Sequence, residues 1–326
     1  MTEFSKTSPA ARLSGIHAAT ICPFDGRFEI EETALARHVA EVCAVPGIDG
    51  LLINGHAGEN FVLDPAEKAR VVSVIRAALG PDVFLTCGIN AESSLQAARD
   101  AEAAEAAGAD AVLLFPPNAW GLGQTPEAVR LHHEAVISAC GLPIVLYQAP
   151  VGAGGMPYPV PTLLDLVRSD RVIGIKEGSW EAAAYEQNRR AVKAVRPDIA
   201  VLGSGDEHLL ACYLLGTEGS QVSLAAIVPE AVVALWQAAQ AEDWTAARAW
   251  HDAIYPLAVA IYRERPGSYA TARLKACLKI LGRLGDDRAR PPVPPLSPEE
   301  YRRLEAALAH ADRASQSLPL AREQAA

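Results

Sequence analysis

The feature that most constrains this chain is an alternation. Between residues 16 and 240, short apolar runs rich in Val, Ile and Leu take turns with segments of helical periodicity, eight times over. The apolar runs are IHAATICPF (16–24), the turn, strand and glycine-rich loop GIDGLLINGHAGEN (47–60), VFLTCGI (83–89), AVLLFPP (111–117), PIVLYQAP (143–150), RVIGIKEGS (171–179), IAVLGSGDE (199–207) and GSQVSLAAIVP (219–229). Near-continuous apolar strands separated by helices form a parallel sheet covered by helices. Eight such units fit an α/β fold, a closed (β/α)8 TIM barrel. An open doubly wound sheet is the alternative, but no G-x-G-x-x-G follows the first strand, where a dinucleotide would need it.

Punctuation supports the helices. Asp64 precedes Pro65 at one helix start, and Gly80 follows that helix; Thr125-Pro126 opens another. After residue 241 the strands stop. Segments 244–264, 268–284 and 297–314 are helical, and RPPVPPL (290–296) runs extended. The expected organisation is a flexible N-terminus (1–13), the barrel (14–240), a C-terminal helical extension (241–314) and a flexible tail (315–326).

Charge and cysteine content exclude several functions. A net charge of −10 without a basic tract argues against nucleic-acid and anionic-membrane partners. The six cysteines are scattered, none in C-x-x-C, which argues against a disulfide framework or a zinc site. No apolar run reaches the ~18 residues of a membrane span, and no secretory leader is visible, so the expected location is cytoplasmic. No metal or cofactor is expected.

In a barrel of this kind the chemistry gathers at the C-terminal strand ends. Lys176 stands near the end of the sixth run, on the face that would point inward. Desolvation there lowers an amine's pKa and makes it a nucleophile for carbonyl carbon. The structural alternative is a lysine paired with Glu177 or with an aspartate across the barrel. Tyr147 ends the preceding strand and could relay a proton to that amine, or be an amphipathic aromatic at a strand end. In GHAGEN (55–60), the glycines Gly55 and Gly58 free backbone amides around His56 and Ala57, which suits a carboxylate; a tight turn that only needs glycine is the alternative. His56 could serve as acid or base, or be a solvent-exposed loop histidine. Glu59 reads as structural, holding the loop to the next helix. His132 and His133 are neighbours on a helix and cannot share one site; they read as surface and partly buried.

Together these elements resemble the dihydrodipicolinate synthase / N-acetylneuraminate lyase family of class I pyruvate-type aldolases. The resemblance runs from about residue 14 through the helical extension. It rests on ATICPFDG (19–26), GHAGEN (55–60) where the family has G-x-x-G-E, GADAVLLFPP (108–117), LPIVLYQAP (142–150) and VIGIKEGS (172–179), in that order and spacing. It implies a barrel in a dimer or tetramer, Lys176 as the Schiff-base lysine, Tyr147 as the proton-relay tyrosine, and the loop as holder of a pyruvate-like carboxylate. No cofactor is implied beyond the covalent imine. The chain also departs from the dihydrodipicolinate-forming members. His56 and Ala57 stand where those carry two threonines. Pro117 and Asn118 replace tyrosines, and Val151, Gly152 and Ala153 follow Y-Q-A-P where an arginine is expected.

The sequence therefore points to a Schiff-base-forming lyase, aldolase or dehydratase, acting on pyruvate or a 2-keto-3-deoxy acid through Lys176. Tyr147 and His56 are its proposed proton carriers. Gly55, Ala57, Gly58, Asn118, Gly152, Ser204 and Ser223 are its substrate-binding candidates. The alternatives are a 4-hydroxy-tetrahydrodipicolinate synthase, which condenses pyruvate with aspartate semialdehyde, and a non-catalytic keto-acid-binding protein.

Overall fold

In a computed structural model, residues 9–318 are described. Eight parallel strands close into a barrel in chain order: β1 (Gly15–Ala19), β2 (Ile48–Ile53), β3 (Phe84–Ile89), β4 (Ala111–Leu114), β5 (Ile144–Gln148), β6 (Val172–Glu177), β7 (Ala200–Gly203) and β8 (Gly219–Val222). The helices between them are α1 (Glu32–Cys43), α2 (Pro65–Leu79), α3 (Ser94–Ala106), α4 (Pro126–Ala139), α5 (Val160–Leu166), α6 (Ala182–Val195) and α7 (Leu209–Leu214). A short α8 (Leu224–Ile227) and then α9 (Pro229–Gln240) follow β8. The extension is α10 (Trp244–Tyr262), α11 (Ala270–Ile280) and α12 (Pro298–Ser317). The open-sheet alternative is excluded, because β1 pairs with β8.

The strands are shorter than the apolar runs. Residues Ile21, Cys22 and Phe24 are buried but irregular, and the last run breaks at Ser223 into α8. Apolar character reports burial, and a segment leaving the sheet to pack under the extension is as apolar as the strand before it.

Local chemistry sets the helix ends. Asp64 accepts from the Glu67 amide while Glu67 bonds back to Asp64, a reciprocal cap with Pro65 at the first position. Ser297 and Glu300 repeat the device on α12. Gly80 ends α2 at φ 71°, a conformation that costs glycine little.

Two expectations differ from the structure. Residues 9–13, expected to be loose, form a 3-10 turn whose Leu13 is fully buried. Leu13 lies against Gly174 of β6, so an apolar side chain seals that end of the barrel. The rest of the expected N-terminal segment (1–8), like 319–326 of the tail, lies outside the described residues; α12 itself runs to Ser317. Neither His132 nor His133 is on the surface. His133 Nδ1 bonds to the Val129 carbonyl at 2.8 Å and His132 Nδ1 to Ser94 Oγ at 3.0 Å, so each ring is buried with a partner.

Candidate active site

The barrel register sets the site. Tyr147 of β5 pairs directly with Lys176 of β6, and Lys176 pairs with Leu202 of β7. The amine is therefore flanked by a phenol on one neighbouring strand and by the loop after β7 on the other. All three lead into one cavity of about 580 Å³ at the C-terminal mouth. Lys176 Nζ lies 5.9 Å from the centre of the Tyr147 ring.

Lys176 is not paired with Glu177. The Glu177 carboxylate points to the opposite side of β6, where it accepts from Asn188 Nδ2 at 2.8 Å and Ser179 Oγ at 2.9 Å. The charge that acts on Lys176 is Asp206, in the loop after β7. Desolvation lowers the amine to about 8, against the opposing pull of Asp206. Desolvation likewise raises Asp206 to about 6, while the Leu224 amide and Lys176 restrain it. Burial pushes the Tyr147 phenol upward, so it is a neutral hydroxyl.

The GHAGEN loop forms a 3-10 turn, His56–Gly58. Its bonds begin with Gly58 N–H to Gly55 and Glu59 N–H to His56, so the His56 and Ala57 amides precede them. The His56 ring stacks on Phe115 at 4.5 Å and stands edge-on to Tyr147 at 5.6 Å. Desolvation by these rings, then the charge of Lys176, push the imidazole below its ordinary value, although its outer edge stays exposed at the mouth.

The loop is held from behind. Glu59, at φ 56°, pairs with Lys275 of α11 and accepts the Arg290 amide at 3.0 Å. Thr271 Oγ1 donates to the His56 carbonyl at 3.1 Å. The sequence reading tied Glu59 to the next helix; its partners are in the C-terminal extension instead. The extension thus carries the backing of the loop.

Of the residues singled out from sequence, Lys176, Tyr147, His56, Ala57, Asn118, Ser204 and Ser223 line the cavity. Gly55 and Gly58 do not line it; they shape the loop backbone. Gly152 lies outside, because Val151 N–H bonds to Ser179 and Ala153 N–H to Pro150, a turn that sends Ala153 inward and Gly152 to the exposed tip. Asn118 is held by its amide on the Glu92 carboxylate at 2.9 Å.

Sequence reasoning missed four lining residues that bring chemistry: Asp206, Gln221, Tyr262 and Thr271. Asp206 was within reach, because it stands three residues past the end of β7 in a glycine-flanked stretch. Tyr262 and Thr271 come from the extension, whose helical pattern gives no hint of which residues reach the mouth.

The comparisons agree with this architecture. The sequence pattern of the dihydrodipicolinate synthetase family matches residues 12–311. A 4-hydroxy-tetrahydrodipicolinate synthase of Kineococcus radiotolerans is 28% identical over 316 residues, covering 95% of this chain and 96% of its own. A DapA-like lyase of Halobacterium salinarum is 30% identical, covering 91% and 93%. Among solved structures, the 4-hydroxy-tetrahydrodipicolinate synthase of Methylacidiphilum fumariolicum superposes with a TM-score of 0.84 at 25% identity, covering 93% and 97%. A dihydrodipicolinate synthase of Agrobacterium tumefaciens gives 0.80 at 27%, covering 93% and 99%.

Proposed function

This chain belongs to the dihydrodipicolinate synthetase family, and from that premise we propose how its own residues carry out the family's chemistry. It is a class I, lysine-imine lyase that takes a pyruvate-type substrate. Of the reactions weighed from the sequence, the named relatives favour condensation of pyruvate with aspartate semialdehyde over lysis of a 2-keto-3-deoxy acid. The observation that carries the mechanism is Lys176: an amine with a depressed pKa, free of Glu177, opposite a neutral tyrosine in a closed barrel.

The steps follow from that placement. The substrate carboxylate sits on the His56 and Ala57 amides, which no threonine hydroxyl assists. Neutral Lys176 attacks the C2 carbonyl. Tyr147 gives and takes the protons that turn the carbinolamine into an imine and water. The protonated imine draws electrons from C3, and His56, a neutral base, takes the C3 proton to give the enamine. Ser204 and Ser223 bind beyond C3, and Asn118 lies at the entrance. A non-catalytic binding protein gives no reason to keep this amine beside Tyr147.

One observation favours a second reading. Among the described residues lining the cavity there is no arginine, and Ala153 lies in the stretch where the family resemblance puts the carboxylate-gripping arginine. A 2-keto-3-deoxy acid, with one carboxylate and distal hydroxyls, suits that lining. The test is direct. Pyruvate consumption with aspartate semialdehyde, measured beside pyruvate release from a panel of 2-keto-3-deoxy acids, separates the two. Consumption only with the semialdehyde supports the synthase; release only from the panel supports the second reading.

A homo-oligomer is part of the same proposal, supported by the exposed apolar side chains Leu122, Val151 and Phe61 around the mouth, and light scattering decides it. No helix among the described residues is long and apolar enough to cross a membrane. The cytoplasm is the proposed location.

A further inference from the structure

We propose that Tyr262, bonded to Ser223 and set beside Asp206, forms a second acid–base group that serves the oxygen on C4, the carbon bonded to C3 of the imine-bound substrate. This rests on the imine reading above and extends it to the carbon–carbon step.

The cavity has two chemically distinct flanks. Tyr147 and His56 lie on the β5 side of Lys176; Asp206 lies in the loop after β7, on the other side. Asp206 is 4% exposed and is the one carboxylate among the described lining residues. It accepts the Leu224 amide at 2.6 Å, and the Tyr262 hydroxyl reaches it. The same hydroxyl is bonded to Ser223 Oγ. The ring of Tyr262 is fixed by Trp180, edge-on at 5.3 Å. The neighbouring Glu207 is engaged by Arg263, and Thr271 by the His56 carbonyl, so neither is free for the substrate.

The reaction needs such a group. Joining C3 to an aldehyde converts a carbonyl oxygen to a hydroxyl, and cleaving that bond requires the hydroxyl proton to be removed. On the β5 side Ala57 and Asn118 bring no acid, and Tyr147 is placed for the imine-forming steps at C2. In the forming direction, the enamine electron pair makes the C3–C4 bond and the aldehyde π pair moves to oxygen. That oxygen takes the Tyr262 proton, and the phenolate recovers one from solvent at the mouth, beside the Asp206 carboxylate that orients the hydroxyl. The lone pair of nitrogen returns to the imine. Solvent gives Tyr262 its proton and receives the one His56 took from C3, so protons balance. Cleavage runs the same transfers backward. Burial raises the Tyr262 hydroxyl well above its ordinary value, so it is a neutral donor, while Asp206, at about 6, is a carboxylate that accepts from it.

The experiment compares wild type with Tyr262→Phe and Asp206→Asn. Asparagine still accepts the Leu224 amide, and Phe keeps the packing on Trp180. Three rates are measured: borohydride trapping with pyruvate, loss of pyruvate C3 hydrogen to deuterium oxide by NMR, and carbon–carbon joining of pyruvate with aspartate semialdehyde or glyceraldehyde. The expected result in Tyr262→Phe is trapping and exchange within about two-fold of wild type, with joining at least ~100-fold slower, in kcat rather than KM; in Asp206→Asn, which also removes the charge that acts on Lys176, joining falls at least ~10-fold further than trapping does. Joining within about five-fold of wild type in both folded variants overturns the proposal. So does an equal fall in all three rates, which would mean a structural role. If Tyr262→Phe does not fold, Asp206→Asn decides by the ratio of joining to trapping. A wild-type protein that is trapped but joins neither aldehyde overturns this proposal while leaving the imine intact. A wild-type protein that is not trapped overturns the imine reading itself.

Discussion

Replacing Lys275 by Met removes the cation that neutralises Glu59. Lys275 is fully buried and Glu59 is 3% exposed, so water cannot take over the carboxylate. The Arg290 amide, at 3.0 Å, is then left to serve it alone. The change also removes the bond from Lys275 Nζ to the Arg288 carbonyl at 3.0 Å and the cation over the Phe24 ring at 4.0 Å. Breaking one side of a buried pair costs about 3–5 kcal/mol, because the surviving charge is stranded. Denaturant unfolding should register that loss. Trapping with pyruvate should slow as well, because the 3-10 turn bearing His56 and Ala57 is anchored through Glu59. The double variant Lys275→Met with Glu59→Gln strands no charge and should regain most of the stability, to within about 2 kcal/mol of wild type. A single-variant cost under about 1 kcal/mol, or a double variant no better than the single, would refute the reasoning.

Four further outcomes follow from the geometry. Imine formation should accelerate as pH rises through about 8, where Lys176 loses its proton, and level off above it; a rate flat from pH 6 to 9 would count against a desolvated amine. The depressed pKa also means that the unfolded chain binds more protons than the fold between about 8 and 10.5, so this lysine's contribution to stability rises with pH there, and Lys176→Met should raise the thermal midpoint at pH 7 while ending activity. A side chain at Gly178 would place Cβ 2.8 Å from the Gln148 carbonyl and 3.2 Å from the Tyr147 ring, so Gly178→Ala should shift the phenol and slow imine formation by roughly 10- to 100-fold, with folding checked by circular dichroism. His56→Ala should lower turnover and C3 hydrogen exchange much more than trapping, and equal losses would show that the ring only shapes the loop.

Much of this was legible in the sequence. Eight apolar runs alternating with helical segments are enough for a closed barrel, because each strand must be buried on both faces. Lys176 was legible for the same reason: an amine within such a run has to end at the mouth. Strand ends were not legible, as at Ser223, where the chain stays buried while leaving the sheet. Gly152 was misplaced because a single turn decides whether it or Ala153 faces inward. Tyr262, Thr271 and Lys275 stayed hidden because they are remote in sequence, and only the folding of α10 and α11 over the loops brings them to the site. His132 and His133 show the related error: polarity suggested surface, yet Ser94 and the Val129 carbonyl supply buried partners.

The measurement that bears most directly on the central claim is borohydride reduction in the presence of pyruvate, followed by peptide mass mapping. The account expects one reduced pyruvyl adduct, on Lys176, absent from Lys176→Met. No adduct, or an adduct on another lysine, would contradict it.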